Sequence, residues 1–121
     1  MKTITVVGAG KIGSTIAAML AETSDYRVEL VDRSEASLDG LPARLGVTHH
    51  VVDVTARGAL ANMLTGSFAV ISALPFHLTT AVASAAIDAG VHYLDLTEDV
   101  ASTRFVKSMA ANAKAALIPQ C

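Results

Sequence analysis

The chain has 121 residues, a net charge of −2 and a hydrophobic fraction of 52%, which predicts one compact domain with mostly buried elements and excludes a disordered protein. Nine basic and 11 acidic residues leave no basic footprint for nucleic acid or for an anionic membrane surface. The single cysteine, Cys121, excludes an intrachain disulfide and a four-cysteine metal site, and we expect a protein of the reducing cytoplasm.

Short apolar, β-branched segments alternate with segments of helical periodicity along the chain. Strands are predicted at residues 4–7, 26–31, 47–52, 68–73, 91–96 and 116–118. Helices are predicted after the first strand and at residues 35–45, 56–64, 78–89 and 100–113, the fourth ending at Gly90 and the last capped by Asp99. Such alternation requires crossover connections, which place helices on both faces of a parallel sheet. The predicted fold class is therefore α/β, a three-layer doubly wound domain over residues 1–121.

The first strand runs directly into a glycine-rich turn of sequence GAGKIG, which opens the first helix. A GxGxxG pattern between a strand and a helix is typical of dinucleotide-binding sites. Gly8 would permit the tight turn, Gly10 the approach of backbone N–H groups to a pyrophosphate, and Gly13 the packing of helix against strand. The start of the helix, with Lys11 and Ile12, would then face the anion. The alternative is a tight turn that uses glycine for geometry alone.

Asp32 closes the second predicted strand, where a dinucleotide-binding fold places the acid that accepts the adenosine ribose hydroxyls. This placement favours NAD. Arg33 and Ser34 follow, and a guanidinium and a hydroxyl in this position could instead meet a ribose 2′-phosphate. NAD and NADP both stay open, with NAD favoured. The alternatives are that Asp32 is a solvated strand end or a helix cap, and that Arg33 lies flat over the adenine.

Two further strand ends are predicted beside the same site. Asp53 and Val54 end the third strand, where the carboxylate could accept from an adenine amino group and the Val54 N–H could donate to the ring. A cap for the following helix is an equal alternative. In a six-stranded parallel sheet of order 3-2-1-4-5-6, the end of the fourth strand lies beside the glycine turn. The residues whose backbone should border the ribose and pyrophosphate there are Ser72, Ala73, Leu74 and Pro75.

The segment HYLDLTED, after the fourth helix, is predicted to bring proton-transferring side chains to the carboxyl end of the fifth strand, where open α/β sheets bind ligands. His92, Asp95 and Glu98 are therefore candidates for contact with a substrate on the nicotinamide side. It is an equal alternative that Asp95 and Asp99 stabilise the loop and cap the last helix. No catalytic residue is assigned from the sequence.

The remaining histidines and the cysteine are not expected to carry chemistry. His49 and His50 have no partner at metal-ligand spacing and are interpreted as part of a solvated loop, so no metal site is predicted. His77 is interpreted as the start of a helix. Cys121, at the chain terminus, lacks the neighbouring base and shaped pocket that a thiol nucleophile needs.

Several segments together resemble the cofactor-binding N-terminal domain of the saccharopine dehydrogenase family: the glycine turn, VDRS, VVDVT, VISALP and IDAGVHYLDLTED. A helix ending in AG and followed by VHYLDLTED is considerably more specific to this family than the glycine motif. The resemblance covers nearly the whole chain. It implies a Rossmann domain that binds NAD or NADP, with Gly8, Gly10 and Gly13 at the pyrophosphate and Asp32 at the ribose.

The resemblance also implies an activity for the parent protein. In this family, hydride transfer between NAD(P) and a secondary amine oxidises a CH–NH bond between an amino acid and a keto acid, as in lysine metabolism. A C-terminal substrate domain follows in the family, so we expect residues 1–121 to be a fragment that binds cofactor without turnover. The expected partners are NAD(P), the substrate domain and, through the apolar surface that this domain would cover, a second copy of the chain.

Two alternatives come from other functional classes. A regulatory NAD-sensing module, such as those attached to potassium channels, shares the strand, glycine turn and helix, but SALPF and HYLDLTED fit the dehydrogenase family better. A methyltransferase that binds S-adenosylmethionine is disfavoured by the spacing to Gly13 and by the lack of a predicted antiparallel seventh strand. No apolar run reaches the about 18 residues of a membrane span, so a soluble protein is expected.

Overall fold

The computed structural model describes residues 2–42, 45–56, 58–96, 106–107 and 116–118, with the side chain of Phe76 excepted. A six-stranded sheet runs through this part of the chain, in the order β3-β2-β1-β4-β5-β6 with every pairing parallel. The predicted fold class and strand order are therefore confirmed. The strands are β1 (Lys2–Val7), β2 (Tyr26–Asp32), β3 (Val47–Val51), β4 (Ala69–Ser72), β5 (His92–Asp95) and β6 (Leu117–Ile118).

Helices connect the strands, and two of them are shorter than predicted. The helices of the described residues are α1 (Lys11–Glu22), α2 (Glu35–Asp39), α3 (Ala59–Leu64) and α4 (Phe76–Ala89). The predicted helix at 35–45 already ends at Gly40, because glycine and the nearby Pro42 disfavour a helix interior. The helix predicted from residue 56 begins only at Ala59, after Gly58 in the left-handed conformation.

The fourth helix begins earlier than predicted. Pro75 precedes its first residue with φ −54°, and the fixed φ of proline suits the start of a helix. His77 therefore lies inside α4, and Gly90 caps the helix as predicted. Of the predicted helix at 100–113, the structure describes Val106 and Lys107, which are helical. The predicted cap Asp99, the candidate Glu98 and the terminal Cys121 lie outside the described residues.

Helices cover both faces of the sheet and create three layers. Val6 and Val7 are adjacent in β1, point to opposite faces, and are both fully buried. Val6 packs in the layer of α1 and α2, whereas Val7 packs in the layer of α3 and α4. Burial of one such side chain stabilises the fold by about 1.5–3 kcal/mol. Packing in these two cores fixes the position of the carboxyl end of β1 relative to the start of α1.

His49 and His50 lie in a strand, as the strand predicted at residues 47–52 implies, so the interpretation of this pair as part of a solvated loop is wrong. His49 and His50 belong to β3 and pair in register with Leu30 and Val31 of β2. His50 Nε2 lies 3.7 Å from the Glu29 carboxylate on β2. A strand at the edge of a sheet tolerates such polar side chains, which is why the sequence pattern was ambiguous here.

The lengths of the described helices bear on whether the chain could cross a membrane. The longest of them, α4, has 14 residues. Within the described part of the chain, no helix combines the length and the apolar character that crossing a bilayer requires.

Candidate functional site

The turn between β1 and α1 has a backbone that only glycine accommodates easily. Gly8 has a φ of +108°, and a Cβ added there would lie 3.0 Å from the carbonyl oxygen of Ala73. The Gly8 N–H donates to the Val31 carbonyl at 2.7 Å, which ties the turn to β2. A Cβ on Gly13 would lie 1.7 Å from the carbonyl oxygen of Gly8. The turn is thus packed between the first helix, β2 and the end of β4.

The start of α1 presents backbone donors to an open surface. Gly10 precedes the helix without a side-chain cap. The N–H groups of Lys11, Ile12 and Gly13 make no hydrogen bond with another residue that the structure describes. Together with the helix dipole, these donors favour an anion. Because a Cβ on Gly10 would meet nothing within 4 Å, a phosphate oxygen has room to approach the backbone.

Asp32 ends β2 with its carboxylate held beside the glycine turn. Its Oδ2 accepts from the Ala9 N–H and its Oδ1 from the Ser34 N–H, both at 2.8 Å. A carboxylate has about four lone-pair sites, so both oxygens can still accept from another hydroxyl. Ser34 caps α2, because its Oγ accepts from the Ser37 N–H at 3.1 Å. Two backbone hydrogen bonds therefore fix the carboxylate of Asp32 at the end of β2.

A cavity of ≈ 260 Å³ opens between the ends of β2, β3 and β4. The sequence-predicted residues that line it are Asp32, Arg33, Asp53, Val54, Leu74 and Pro75. Its volume lies just below the range of about 300–1,000 Å³ typical of small-molecule pockets, which suits one part of a larger ligand. Ser72 does not line this cavity, because its side chain is 2% exposed and faces α4. Ala73 instead reaches the glycine turn.

Asp53, at the rim of the cavity, is organised by a residue that the sequence analysis missed. Its Oδ1 accepts from the Thr55 hydroxyl at 2.6 Å and from the Thr55 N–H at 2.9 Å. These two bonds, the hydroxyl bond more than the N–H bond, hold the pKa of Asp53 below its ordinary value. Desolvation raises the pKa by less than the bonds lower it, and the charge of Arg33 lowers it further. Oδ2 makes no hydrogen bond with another described residue. The missed signal is the D-x-T spacing of an Asx turn.

Thr55→Val should raise the pKa of Asp53 toward its ordinary value, because the substitution removes the hydroxyl donor and keeps the N–H. A carbon-13 NMR titration of the Asp53 carboxyl measures this shift, and the Thr55→Ser control should keep the pKa low. Since the folded-state pKa is depressed, the associated stability is present above the unfolded-state pKa and is lost as the pH falls through the folded-state pKa. An unchanged Asp53 pKa in Thr55→Val would contradict this assignment.

Two candidate residues on β5 do not face the ligand edge of the sheet. His92 begins β5, so the prediction that it reaches the carboxyl end is wrong; its Nδ1 accepts from the Ala116 N–H at 2.9 Å. Asp95 does end the strand, but it is 1% exposed and accepts from the Tyr93 hydroxyl at 2.5 Å. Side chains alternate along a strand, so the bounds of β5 decide these orientations.

Comparison with known protein families links this geometry to one of them. A family model described as the saccharopine dehydrogenase NADP binding domain matches residues 4–118. This match confirms the resemblance that the sequence motifs predicted. Comparison with curated protein sequences gives no match.

Solved structures share the fold at low sequence identity. Saccharopine dehydrogenase (L-Glu forming) from Saccharomyces cerevisiae has a TM-score of 0.88 at 22% identity, over 99% of this chain and 27% of that chain. A Rossmann-fold NAD(P)-binding family protein from Shigella flexneri has a TM-score of 0.76 at 18% identity, over 98% and 66%. A uronate dehydrogenase from Agrobacterium tumefaciens, complexed with NAD, has a TM-score of 0.66 at 18% identity, over 91% and 55%. The chain thus spans 27% of the yeast enzyme.

Proposed function

The chain belongs to the saccharopine dehydrogenase NADP-binding domain family, and we propose that it is the cofactor-binding part of an oxidoreductase acting on the CH–NH bond of a secondary-amine amino acid. It is a dinucleotide-binding domain, and its cofactor is NAD or NADP. When bound, the cofactor supplies hydride transfer. The substrate class is part of the proposal, and the family match supports it.

One observation carries the proposal: unpaired backbone donors and a fixed carboxylate lie side by side around the glycine turn. The N–H groups of Lys11, Ile12 and Gly13 make no hydrogen bond with another described residue, and the space beside Gly10 is open. A pyrophosphate would accept from these groups. Asp32 is bonded to Ala9 within the same turn and would accept from the adenosine ribose.

The cavity between the strand ends would take the adenine. Asp53 Oδ2 is available to accept from the adenine amino group, and the Val54 N–H would donate to the ring. The bonds from Thr55 lower the pKa of Asp53, and hydrogen bonds to an ionised acceptor are the stronger ones. Leu74 and Pro75 supply the apolar wall. The chain's own residues therefore bind and orient the cofactor.

We further propose that NAD is preferred over NADP, although the family description names NADP. The Asp32 carboxylate cannot turn away from a 2′-phosphate without breaking its bonds from Ala9 and Ser34. Hydrogen bonds to a charged group contribute about 1.5–3 kcal/mol each. The Ser34 hydroxyl already caps α2. A 2′-phosphate would therefore meet a fixed negative charge.

The substrate-binding and proton-transfer groups would belong to other parts of a longer protein. This extension of the proposal is supported by the yeast enzyme, of which the chain spans 27%. In this arrangement the 121-residue chain binds NAD(P) but does not oxidise an amino-acid substrate by itself.

Thermal unfolding with saturating NAD, NADP or S-adenosylmethionine tests the proposal. A ligand at 100 times its Kd adds roughly 2.7 kcal/mol, which raises the Tm of a domain of this size by about 10 °C. We expect the largest rise with NAD, a smaller one with NADP and none with S-adenosylmethionine. A rise with S-adenosylmethionine alone, or with none of the three, would overturn dinucleotide binding. A larger rise with NADP would overturn only the preference.

A further inference from the structure

A group of polar side chains is buried between the sheet and α4. We call it the buried polar cluster; its members are Ser72, Thr79, Tyr93 and Asp95, each at most 2% exposed. Burial of a carboxyl or hydroxyl group costs free energy unless hydrogen bonds compensate it. The hydroxyls of Ser72 and Thr79 find no partner among the described residues. The cluster is therefore costly to bury, and the bond between Tyr93 and Asp95 offsets part of that cost.

The cluster connects β4, β5 and α4. Ser72 and Asp95 are register partners at the ends of β4 and β5. Tyr93, on the same face of β5 as Asp95, donates its hydroxyl to the Asp95 carboxylate at 2.5 Å. The Tyr93 hydroxyl also lies 3.5 Å from the carbonyl oxygen of Thr79, in the first turn of α4. Tyr93 and Asp95 therefore connect the end of β5 to the first turn of α4, which lies at one end of the turn between β4 and α4.

The turn between β4 and α4 packs directly against the glycine turn. The Ala73 N–H donates to the Val7 carbonyl at 2.8 Å. Ala73 O and Leu74 Cδ2 approach the position of a Gly8 Cβ to 3.0 and 3.1 Å. Any shift of the turn toward β1 would displace Gly8, and a shift away from it would widen the site.

We propose that Asp95 is a positioning residue for cofactor binding: through Tyr93 it holds the turn between β4 and α4 against the glycine turn. Asp95 does not touch the cofactor, because it is buried on the α4 side of the sheet. The inference rests on the proposed function, since it concerns the affinity of that same site.

NADH titration by fluorescence, combined with thermal unfolding, tests this role. The double variant Tyr93→Phe/Asp95→Leu replaces the pair by apolar side chains. The Kd of this variant for NADH should rise about tenfold or more, which corresponds to about 1.4 kcal/mol, while thermal unfolding shows that the variant is folded. Asp95→Asn retains an acceptor for the Tyr93 hydroxyl and should restore most of the affinity. Leu64→Ala, in the same layer on α3, should lower the Tm and leave the Kd unchanged.

The outcomes separate this inference from the proposed function. If the wild-type chain does not bind NADH, the proposed function fails and the inference fails with it. If the wild type binds and the double variant binds within twofold of it, only the positioning role is overturned. Should the double variant not fold, Tyr93→Phe decides alone: weaker binding supports the role, and unchanged binding overturns it.

Discussion

Gly13→Ala should destabilise the chain by at least about 3 kcal/mol, a large part of the roughly 5–15 kcal/mol that stabilises a typical domain. The added methyl group would lie 1.7 Å from the carbonyl oxygen of Gly8 and 2.9 Å from its carbonyl carbon. These are backbone atoms, so no side-chain rotation relieves the overlap, and α1 must move away from the turn. Urea unfolding monitored by circular dichroism measures the loss.

Gly10→Ala is the matched control for this prediction. It makes the same chemical change in the same turn, but its Cβ meets nothing within 4 Å. The φ of Gly10 is −70°, which any residue adopts. Its unfolding midpoint should stay close to that of the wild type. Equal stability of Gly13→Ala and the wild type would contradict the close packing of α1 on the glycine turn.

Asp32→Asn should weaken NAD binding about tenfold or more and reduce the preference over NADP. The substitution removes the charge that the ribose hydroxyls would contact, and a hydrogen bond to a charged group contributes about 1.5–3 kcal/mol. It also removes the repulsion of a 2′-phosphate, so NADP should lose less affinity than NAD. Calorimetric titration with both cofactors measures the two changes.

Glu35→Gln is the control for the loss of one negative charge. Glu35 is exposed in the first turn of α2. It directly follows Ser34, whose N–H donates to Asp32. Its substitution should leave both affinities within about twofold, since exposed charges are screened by solvent. If Asp32→Asn and Glu35→Gln behaved alike, Asp32 would have no ribose role.

The fold was predictable because its signals are local and repeated. Adjacent apolar residues such as Val6 and Val7 of β1 are buried on opposite faces, which a sheet covered by helices on both sides explains. The boundaries of α2 and α3 were less predictable. Gly40 ends α2 early, and the bonds between Asp53 and Thr55 turn the chain before α3. Short turns of this kind override helical periodicity.

In the candidate site, too, residues with a local sequence signal were predictable and residues that depend on distant contacts were not. Gly8, Gly13 and Asp32 could be placed from the sequence, because the glycine turn directly follows β1 and Asp32 ends β2. The orientation of His92 and Asp95 could not be predicted, since it depends on where β5 begins and on the packing of α4 over Tyr93. Contacts between residues far apart in sequence leave no local pattern.

The most direct test of dinucleotide binding at the glycine turn is an NADH fluorescence titration of the wild-type chain beside Gly10→Ala. The added methyl group would occupy the open space that the pyrophosphate needs without disturbing the fold. We predict saturable binding by the wild type and at least about tenfold weaker binding by Gly10→Ala, at an equal Tm. Equal affinity of the two proteins, or no binding by the wild type, would contradict the account.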